Sequence, residues 1–289
     1  MLVYSRSVKN LCFLMMNARL VVAVLVLTAA SSTFAWGPRA HRIVTDKAID
    51  GLPPEIKPFY NANRNYLVEH SNDANKAAAI SRVEAVRHFI YFDRYGKYPF
   101  PLLSHNYNIA LQQHGGFKLN KNGILPWYIG EYHLRLTQAF RSRNWSAVLE
   151  ASTWLAHYVA DVTDPFHLTE NYNGQLSGQT GIEERVGTAL FDRYANFLLL
   201  RPGRVEYLKD PTENAFQLGL ENFVWVDNFL LADRRALGAA TGYNEDYYER
   251  LYNEIGPVVS REISEAIENV GAYWYTAWVN GGKPALPVQ

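Results

Sequence analysis

The sequence predicts an all-α, single-domain protein. Apolar residues recur at steps of three and four in several long runs, which is the period of an amphipathic helix. No run shows a convincing alternation of apolar and polar residues, the pattern of a half-buried strand. The chain has 289 residues and no internal repeat, so a single hydrophobic core can serve it.

The first 35 residues have the pattern of a secretory signal peptide. Three basic residues precede an apolar core of eleven residues, Leu20 to Ala30. Thr33-Phe34-Ala35 then matches a small-x-small cleavage site. An uncleaved membrane anchor is the alternative, but a helix needs about 20 apolar residues to span a bilayer. We therefore expect cleavage before Trp36 and a periplasmic or secreted protein whose single domain is residues 36–289.

Cleavage would change both the charge and the cysteine content. The whole chain has 28 basic and 28 acidic residues, and residues 1–35 contain three of the basic residues and no acidic one, so the predicted mature chain has a formal charge of −3. No basic excess remains to attract polyanions. Cys12, the only cysteine, is also lost. An exported protein without disulfides would depend on its core and on bound metal for stability.

The predicted helices are bounded by proline, glycine and polar residues. The first begins within the segment Trp36 to His41 and ends near Gly51, with apolar positions at helical spacing between them. Residues 95–123 are rich in proline, glycine and polar residues and predict a long loop or a set of short turns, a candidate lid over a cleft. The other helical runs are Tyr128 to Arg141, Trp145 to Val162, Ile182 to Leu200, Pro211 to Leu237 and Glu245 to Val279.

A candidate pair of metal ligands lies in the predicted helical run Trp145 to Val162. His157 and Asp161 are four residues apart, so both side chains emerge on one helix face about one turn apart. Pro165 then ends the helix, because it lacks an N–H and disfavours a helical residue before it. His167 follows this break. Imidazole and carboxylate ligands favour a cation such as zinc, whereas a buried helix with satisfied polar groups is the alternative for the pair alone.

Other candidate ligands lie far away in the sequence. His41 falls in the first turn of the first helix, Asp73 lies in a polar segment, and His88 lies in the apolar segment RHFIYFD. A free amino group at Trp36 and the adjacent carbonyl could chelate a metal together with His41. A surface histidine, or a core histidine with a backbone partner, is the alternative for each position alone.

Three segments, WGPRAHRIVTDKAID, RHFIYFD and HYVADVTDPFHLTEN, together resemble in this order the zinc-dependent phospholipase C and fungal single-strand-specific nuclease superfamily, in its bacterial phospholipase C-like branch. The resemblance covers residues 36 to about 190. It implies an all-helical secreted or periplasmic bundle with three zinc ions in one cleft. It also implies hydrolysis of phosphodiesters or phosphate monoesters.

The resemblance implies four ligands for a first zinc, namely Asp73, His88, His157 and Asp161. Asp161 would bridge to a second zinc, whose other ligands would be the amino group and carbonyl of Trp36 and the ring of His41. Family members often have Asp-Pro-Asp where this chain has Asp73-Ala74-Asn75. The acidic ligand is therefore Asp73, or else its position is taken by Asn75. We favour Asp73 and also expect it to orient the attacking water or take its proton.

The third zinc site is altered. The resemblance implies ligation by His167 and by a His and a Glu four residues apart after the glycine-rich loop. One register places Glu183 and Gly187 at these positions, and the other places Thr180 and Glu184 there. Neither register restores the His–Glu pair. The resemblance therefore implies two complete zinc sites and a third that is either weakened, with Glu183 in place of a histidine, or lost.

Three functions remain open. The first is a zinc phosphoesterase of the phospholipase C type that acts on a phospholipid headgroup or another small phosphodiester through a metal-activated water. The second is a nuclease of the same superfamily, which would need cations along its cleft, and the acidic mature charge gives no sign of them. The third is a degenerate member that binds metal with little or no turnover. We expect a monomer that contacts membrane surfaces transiently.

Overall fold

The computed structural model describes residues 36–238 and 242–287, and every regular element within these ranges is helical. The predicted all-α class is therefore confirmed. The predicted signal peptide, residues 1–35, lies outside the described residues. The described residues belong to one compact unit. None of the helices in these ranges combines the length and the apolar character needed to cross a bilayer.

The helices are numbered here in chain order. The first group is α1 (Pro38–Asp50), α2 (Lys57–Ala62), α3 (Arg64–Glu69), α4 (Asp73–Ala78) and α5 (Arg82–Ala85). The middle group is α6 (Tyr107–His114), α7 (Gly116–Asn122), α8 (Leu125–Ser142) and α9 (Trp145–Asp161). The last group is α10 (Ile182–Glu184), α11 (Phe191–Tyr194), α12 (Pro211–Phe223), α13 (Val226–Leu237) and α14 (Glu245–Asn280). Short 3₁₀ helices span Phe92–Tyr95, Pro165–His167 and Ala195–Phe197, and a π-helix spans Arg185–Leu190.

Helix α9 is the central helix, and it packs against α1, α8 and α14. Its sequence is apolar on nearly all sides, as expected of a helix that is surrounded by others. Asn144 caps its amino terminus by accepting a hydrogen bond from the N–H of Ala147. In its middle, the Ser152 carbonyl accepts a hydrogen bond from the Trp274 indole of α14 at 3.0 Å. These contacts fix α9 in the core and thereby position the residues at its carboxyl end.

Most predicted helices agree with the structure, and the differences have tertiary causes. The predicted run Pro211 to Leu237 is broken between α12 and α13. The break allows α12 to pack on α8 while α13 packs on α14. Apolar residues continue through the break, so periodicity does not reveal it. The predicted run Ile182 to Leu200 is likewise interrupted by the π-helix and ends at Phe197.

The segment predicted as a loop contains two helices, α6 and α7, within a region that we call the 92–122 lobe. The ends of the lobe meet, since the N–H of Tyr91 donates to the carbonyl of Asn122 at 2.7 Å. Gly123 closes the junction with a φ of 84°, and a Cβ there would lie 2.0 Å from the carbonyl oxygen of Phe89. Helix α6 buries only Ala110, so the sequence lacks the buried face that makes a helix recognisable.

Candidate metal centre

Helix α9 carries the two residues on which the site is built. His157 and Asp161 lie on one face, and each side chain is about 1% exposed. His157 Nε2 is 3.5 Å from Asp161 Oδ2. Helix α9 ends at Asp161, and Pro165 begins a 3₁₀ turn whose N-cap, Asp164, accepts a hydrogen bond from the N–H of Phe166. The helical face and the proline stop predicted from the sequence are both present.

Helix α1 brings His41 to the same place. Its Nε2 lies 3.5 Å from Asp161 Oδ1, and its ring stacks on His157 with 3.8 Å between the ring centres. His41, His157 and Asp161 each offer one ligand atom, and these atoms lie within 4.8 Å of one another. This spacing is compatible with ligands around one divalent cation. The three residues thus form a group that can hold a metal ion.

Two further histidines face Asp161. His88 Nδ1 is 2.9 Å from Asp161 Oδ2, and His167 Nδ1 is 3.6 Å from Asp161 Oδ1. The two histidines are held side by side because the N–H of Ile90 donates to the carbonyl of His167 at 2.8 Å. We refer to Asp161 with its four histidines, His41, His88, His157 and His167, as the Asp161 cluster.

The cluster is divided between the two carboxylate oxygens of Asp161. Oδ1 faces His41 and His167, whereas Oδ2 faces His88 and His157. The carboxylate of Asp161 therefore has imidazole rings beside both of its oxygens.

Hydrogen bonding fixes the tautomer of His157. Its Nδ1 lies 2.8 Å from the carbonyl oxygen of Ser71. Because a carbonyl can only accept, Nδ1 carries the hydrogen and Nε2 keeps its lone pair. This Nε2 is the atom that faces Asp161. Such a backbone partner is the usual way in which proteins orient a metal-binding imidazole.

Electrostatics place most of the cluster in metal-binding protonation states. Burial lowers the pKa of His157 to about 4, and burial together with His157 lowers the pKa of His41 well below its ordinary value. Burial also lowers the pKa of His167. Burial alone would raise the pKa of Asp161, but His157, His167 and His88 outweigh it, and the net pKa lies below the ordinary value. At neutral pH these groups are neutral imidazoles around an ionised carboxylate, as metal ligation requires.

Several buried atoms of the cluster have no hydrogen-bond partner within the described part of the chain. They are His41 Nδ1 and Nε2, His157 Nε2 and Asp161 Oδ1. Each unsatisfied buried polar atom costs about 1–3 kcal/mol. Such groups are rare in native proteins and call for a specific partner. A divalent cation would supply that partner for the lone pairs, so the residues present fit a metal ion.

Asp73 does not join the cluster. Its carboxylate is bound by His70 Nδ1 at 2.5 Å and by Lys76 Nζ at 2.7 Å, and its side chain is 30% exposed. Asn75 of α4 is buried, and neither atom of its amide has a hydrogen-bond partner in the described ranges. Asn75 follows Asn72 by three residues, on the same helical face, and Asn72 donates to the carbonyl of Pro38 beside His41. The catalytic and ligand roles predicted for Asp73 therefore find no support in its position.

Trp36 is buried directly before α1, where the N–H of Gly37 donates to the carbonyl of Gly187 at 3.0 Å. The Trp36 ring packs near Phe191, with 6.2 Å between ring centres. In the full chain its nitrogen belongs to the peptide bond with Ala35. Ligation by its amino group depends on cleavage and stays a prediction.

Glu183 is buried in α10, and it lies close enough to Tyr91 to contribute, after burial, to the raised pKa of that phenol. Tyr91 follows His88 by three residues, so Glu183 lies near this part of the site. Thr180 and Glu184 are both exposed. Burial therefore favours the register that aligns Glu183 and Gly187 with the third-site pair. Gly187 offers no side chain, and only its carbonyl is used, by Gly37.

Glu84 is a neighbour of the site that the sequence reasoning missed. It accepts hydrogen bonds from the Tyr158 hydroxyl at 2.5 Å and from Arg87 at 2.6 Å, and its Oε1 lies 3.4 Å from His88 Nε2. Burial lowers the pKa of His88, but the carboxylates of Asp161 and Glu84 raise it to about 9. The spacing of four residues between Glu84 and His88 was the available signal. That spacing brings two side chains together only within a helix, and α5 ends at residue 85, before His88.

Comparison with known proteins found no matching protein-family model and no matching curated protein. The resemblance of the three sequence segments to a zinc hydrolase superfamily therefore remains a prediction. The functional argument depends on the geometry of the Asp161 cluster.

Proposed function

We propose that the Asp161 cluster is a zinc centre and that the protein is a zinc-dependent phosphoesterase of the phospholipase C type. The observation that carries the proposal is the convergence of four imidazoles on one buried, ionised carboxylate, with several of their atoms lacking partners. A set of histidine and carboxylate ligands without cysteine favours zinc among the common cations. The order of the three sequence segments supports phosphoester hydrolysis as the reaction.

We infer that the cluster would hold two ions that share Asp161 as a ligand. His88 and His157 would be the other ligands of one ion, and His41 would be a ligand of the other ion together with the amino group of Trp36 after cleavage. His167 and the buried Glu183 would be ligands of a weaker third site. When bound, zinc lowers the pKa of its water to about 7 and stabilises charge on phosphoryl oxygens. The chain's own contribution is orientation, because the Ser71 carbonyl holds the His157 ring.

A second candidate is a single-strand nuclease, and one feature near the site favours it. Phe89, Tyr91 and Tyr172 form a partly exposed stack of rings, with 4.5 Å and 5.8 Å between successive ring centres. The stack begins one residue after His88. Flat aromatic faces of this kind bind nucleobases without sequence preference. The net negative charge of the predicted mature chain disfavours binding of a long polyanion.

A third candidate is a metal-binding protein with little or no turnover. The absence of a side chain at Gly187 and the outward position of Asp73 both favour it. The candidates are distinguished by parallel assays of the purified, zinc-loaded protein on phosphatidylcholine, single-stranded DNA and a chromogenic phosphate ester. We expect zinc-dependent turnover that is greatest on phosphatidylcholine. Bound zinc without turnover on any of the three would instead support the binding protein.

The metal centre itself is tested by metal analysis. We expect more than one zinc per chain in the wild type, two if the third site is lost, and fewer in His157→Ala. His133→Ala is the matched control, because His133 is also buried and its Nε2 also lacks a partner in the described ranges, but it lies in α8 and is not a member of the cluster. Equal zinc contents in the two variants would contradict the proposal.

Ligation by Trp36 has its own test. Addition of one residue before Trp36 in the processed protein should lower both zinc content and activity, because the amino group would be displaced from the site. An unchanged zinc content would remove Trp36 from the ligand set while leaving the Asp161 cluster in place.

A further inference from the structure

We propose that the 92–122 lobe is a docking surface for anionic phospholipid membranes. The first observation is the exposure of its large apolar side chains. Phe117 is 85% exposed and Leu102 is 69% exposed. Tyr98, Ile109 and Leu111 of the lobe are exposed as well. These five side chains fall within twenty consecutive residues, 98–117, and large exposed apolar patches mark sites of interaction.

The exposure follows from the way the lobe is built. Helix α6 buries only Ala110 and directs its aliphatic residues to solvent. Helix α7 buries Leu119 and directs Phe117, Lys118 and Lys121 outwards. The few buried residues of the lobe therefore anchor it to the rest of the protein. Its outer surface is a mixture of apolar side chains and lysines, which is the composition of interfacial membrane-binding segments.

Charge distribution is the second, independent observation. Residues 92–122 contain four basic residues and one acidic residue, a formal charge of +3, whereas the rest of residues 36–289 has a formal charge of −6. The acid, Asp93, is engaged by Thr169, and Arg94 is paired with Glu170. Across the described ranges no carboxylate pairs with the lysines of the lobe, Lys97, Lys118 and Lys121. Each lysine near an anionic bilayer contributes about 1 kcal/mol of attraction.

The combination favours lipid over nucleic acid. Single-stranded nucleic acids bind to cations and flat rings, and leucine and isoleucine side chains offer no such face. Transfer of the exposed side chains of Leu102, Ile109 and Leu111 from water to an apolar medium is favourable. Lysines beside them can keep their charge among lipid headgroups while their stems lie along the apolar region. An anionic bilayer satisfies both kinds of side chain together.

The lobe is attached directly to the metal centre. It begins four residues after His88, and the N–H of Phe92 donates to the carbonyl of Leu168, the residue after His167. A membrane bound at the lobe would therefore be connected to two residues of the Asp161 cluster through a short, hydrogen-bonded segment. The docking proposal itself depends only on the surface of the lobe and does not require that the site bind metal.

The test is vesicle sedimentation of the purified protein, with phosphatidylcholine vesicles and with vesicles of phosphatidylcholine and phosphatidylglycerol. All preparations must have the same amino terminus by mass spectrometry, because residues 1–35 would themselves bind lipid. We expect binding to the anionic vesicles that weakens as salt is added. Leu102→Ser/Phe117→Ser and Lys118→Glu/Lys121→Glu should each lower the partition coefficient about tenfold or more.

Matched controls lie outside the lobe. Phe197 and Leu199 are 67% and 69% exposed, so Phe197→Ser/Leu199→Ser removes equally exposed apolar side chains. Arg204→Glu/Lys209→Glu reverses two exposed charges elsewhere. Both controls should change binding less than about twofold, since random surface changes have small effects. Controls that lose as much binding as the lobe variants would overturn the proposal.

An environment-sensitive dye on Phe117→Cys gives a readout that does not depend on loss of function. Its emission should shift to the blue with anionic vesicles, whereas the same dye on Phe197→Cys should not shift. Absence of wild-type binding to anionic vesicles would overturn the proposal, and so would lobe variants that affect only binding to DNA or to an acidic protein. Failure of zinc binding or hydrolysis would leave these results unaffected, because neither is measured.

Discussion

Two buried polar clusters in this protein are built around an aspartate, and they are completed in different ways. Asp233 of α13 is about as buried as Asp161 of α9. Asp233 accepts hydrogen bonds from Arg185, from the Tyr247 hydroxyl and from the Gln179 amide, at 2.5–3.0 Å. We refer to these four residues as the Asp233 network. The Asp161 cluster has no arginine or lysine partner in the described ranges.

The buried charge of Asp233 is satisfied by other residues of the protein, so we call this network closed. Arg185 donates further to the carbonyls of Thr180 and Gln179, so both charges are paired and hydrogen-bonded. This ties the glycine-rich loop to α13 and α14. The Asp161 cluster leaves imidazole nitrogens and a carboxylate oxygen without partners inside the described residues. The difference teaches that a satisfied buried charge serves the fold, whereas an unsatisfied convergence of ligand atoms indicates a site for something else.

The largest expected effect is the loss of stability on substitution of Asp233 in the Asp233 network. Asp233→Ala should lower the free energy of unfolding by about 3–5 kcal/mol, because it leaves the Arg185 charge buried without its partner. Urea denaturation of the metal-free protein measures this loss. Glu245→Ala is the control: it removes the exposed partner of Arg193 and should cost about 1 kcal/mol or less. A small effect of Asp233→Ala would show that solvent reaches Arg185 and that the network is not closed.

The second prediction concerns the open cluster. Saturating zinc should raise the melting temperature of the wild type, since a ligand at 100 times its dissociation constant stabilises the folded state by about 2.7 kcal/mol. Asp161→Asn should abolish this response, because the amide cannot bridge cations as the carboxylate does. Differential scanning fluorimetry with and without a chelator measures both. A full zinc response in Asp161→Asn would place the metal elsewhere.

A third prediction uses the buried amide of Asn75. Asn75→Asp should raise zinc affinity about tenfold, since it places a carboxylate at a buried position of α4. Asp73→Asn is the matched control and should leave the affinity unchanged, because Asp73 faces His70 and Lys76. Competition with a chromogenic chelator measures the two affinities. The opposite ranking would restore Asp73 to the ligand set.

The smallest effect concerns Glu262, a buried carboxyl whose two oxygens lack hydrogen-bond partners in the described part of the chain. Burial, with a contribution from Asp164, raises its pKa well above the ordinary value of 4.5. The unfolded chain therefore ionises first as pH rises, and this residue makes the folded state less stable above about pH 4.5. Glu262→Gln removes that loss, so its stability relative to the wild type should increase with pH.

Urea denaturation at pH 4 and pH 8 measures the difference, which should be larger at pH 8. Glu254→Gln in the same helix is exposed and should show no such growth. A constant difference between Glu262→Gln and the wild type across this range would show that Glu262 is ionised in the folded protein.

Much of the site could be predicted because its central pair is local. Four residues along one helix place His157 and Asp161 together whatever surrounds them. The position of Asp73 could not be decided in this way. Asp73 and Asn75 are two residues apart on a short helix, and only the packing of α4 turned the amide inwards and left the acid at the surface. The charge of Asp73 favoured it in the sequence, and the same charge favours its exposure.

The sequence by itself determined the helical class, the end of α9 before Pro165 and the common face of His157 and Asp161, because these depend on backbone geometry within a few residues. The tertiary structure alone decided which distant histidines meet Asp161 and which oxygen each one faces. It also decided that Asp233 would be closed by Arg185 and that the apolar residues of the 92–122 lobe would remain in solvent. These outcomes depend on how helices pack against one another, and packing joins residues that are far apart in the chain.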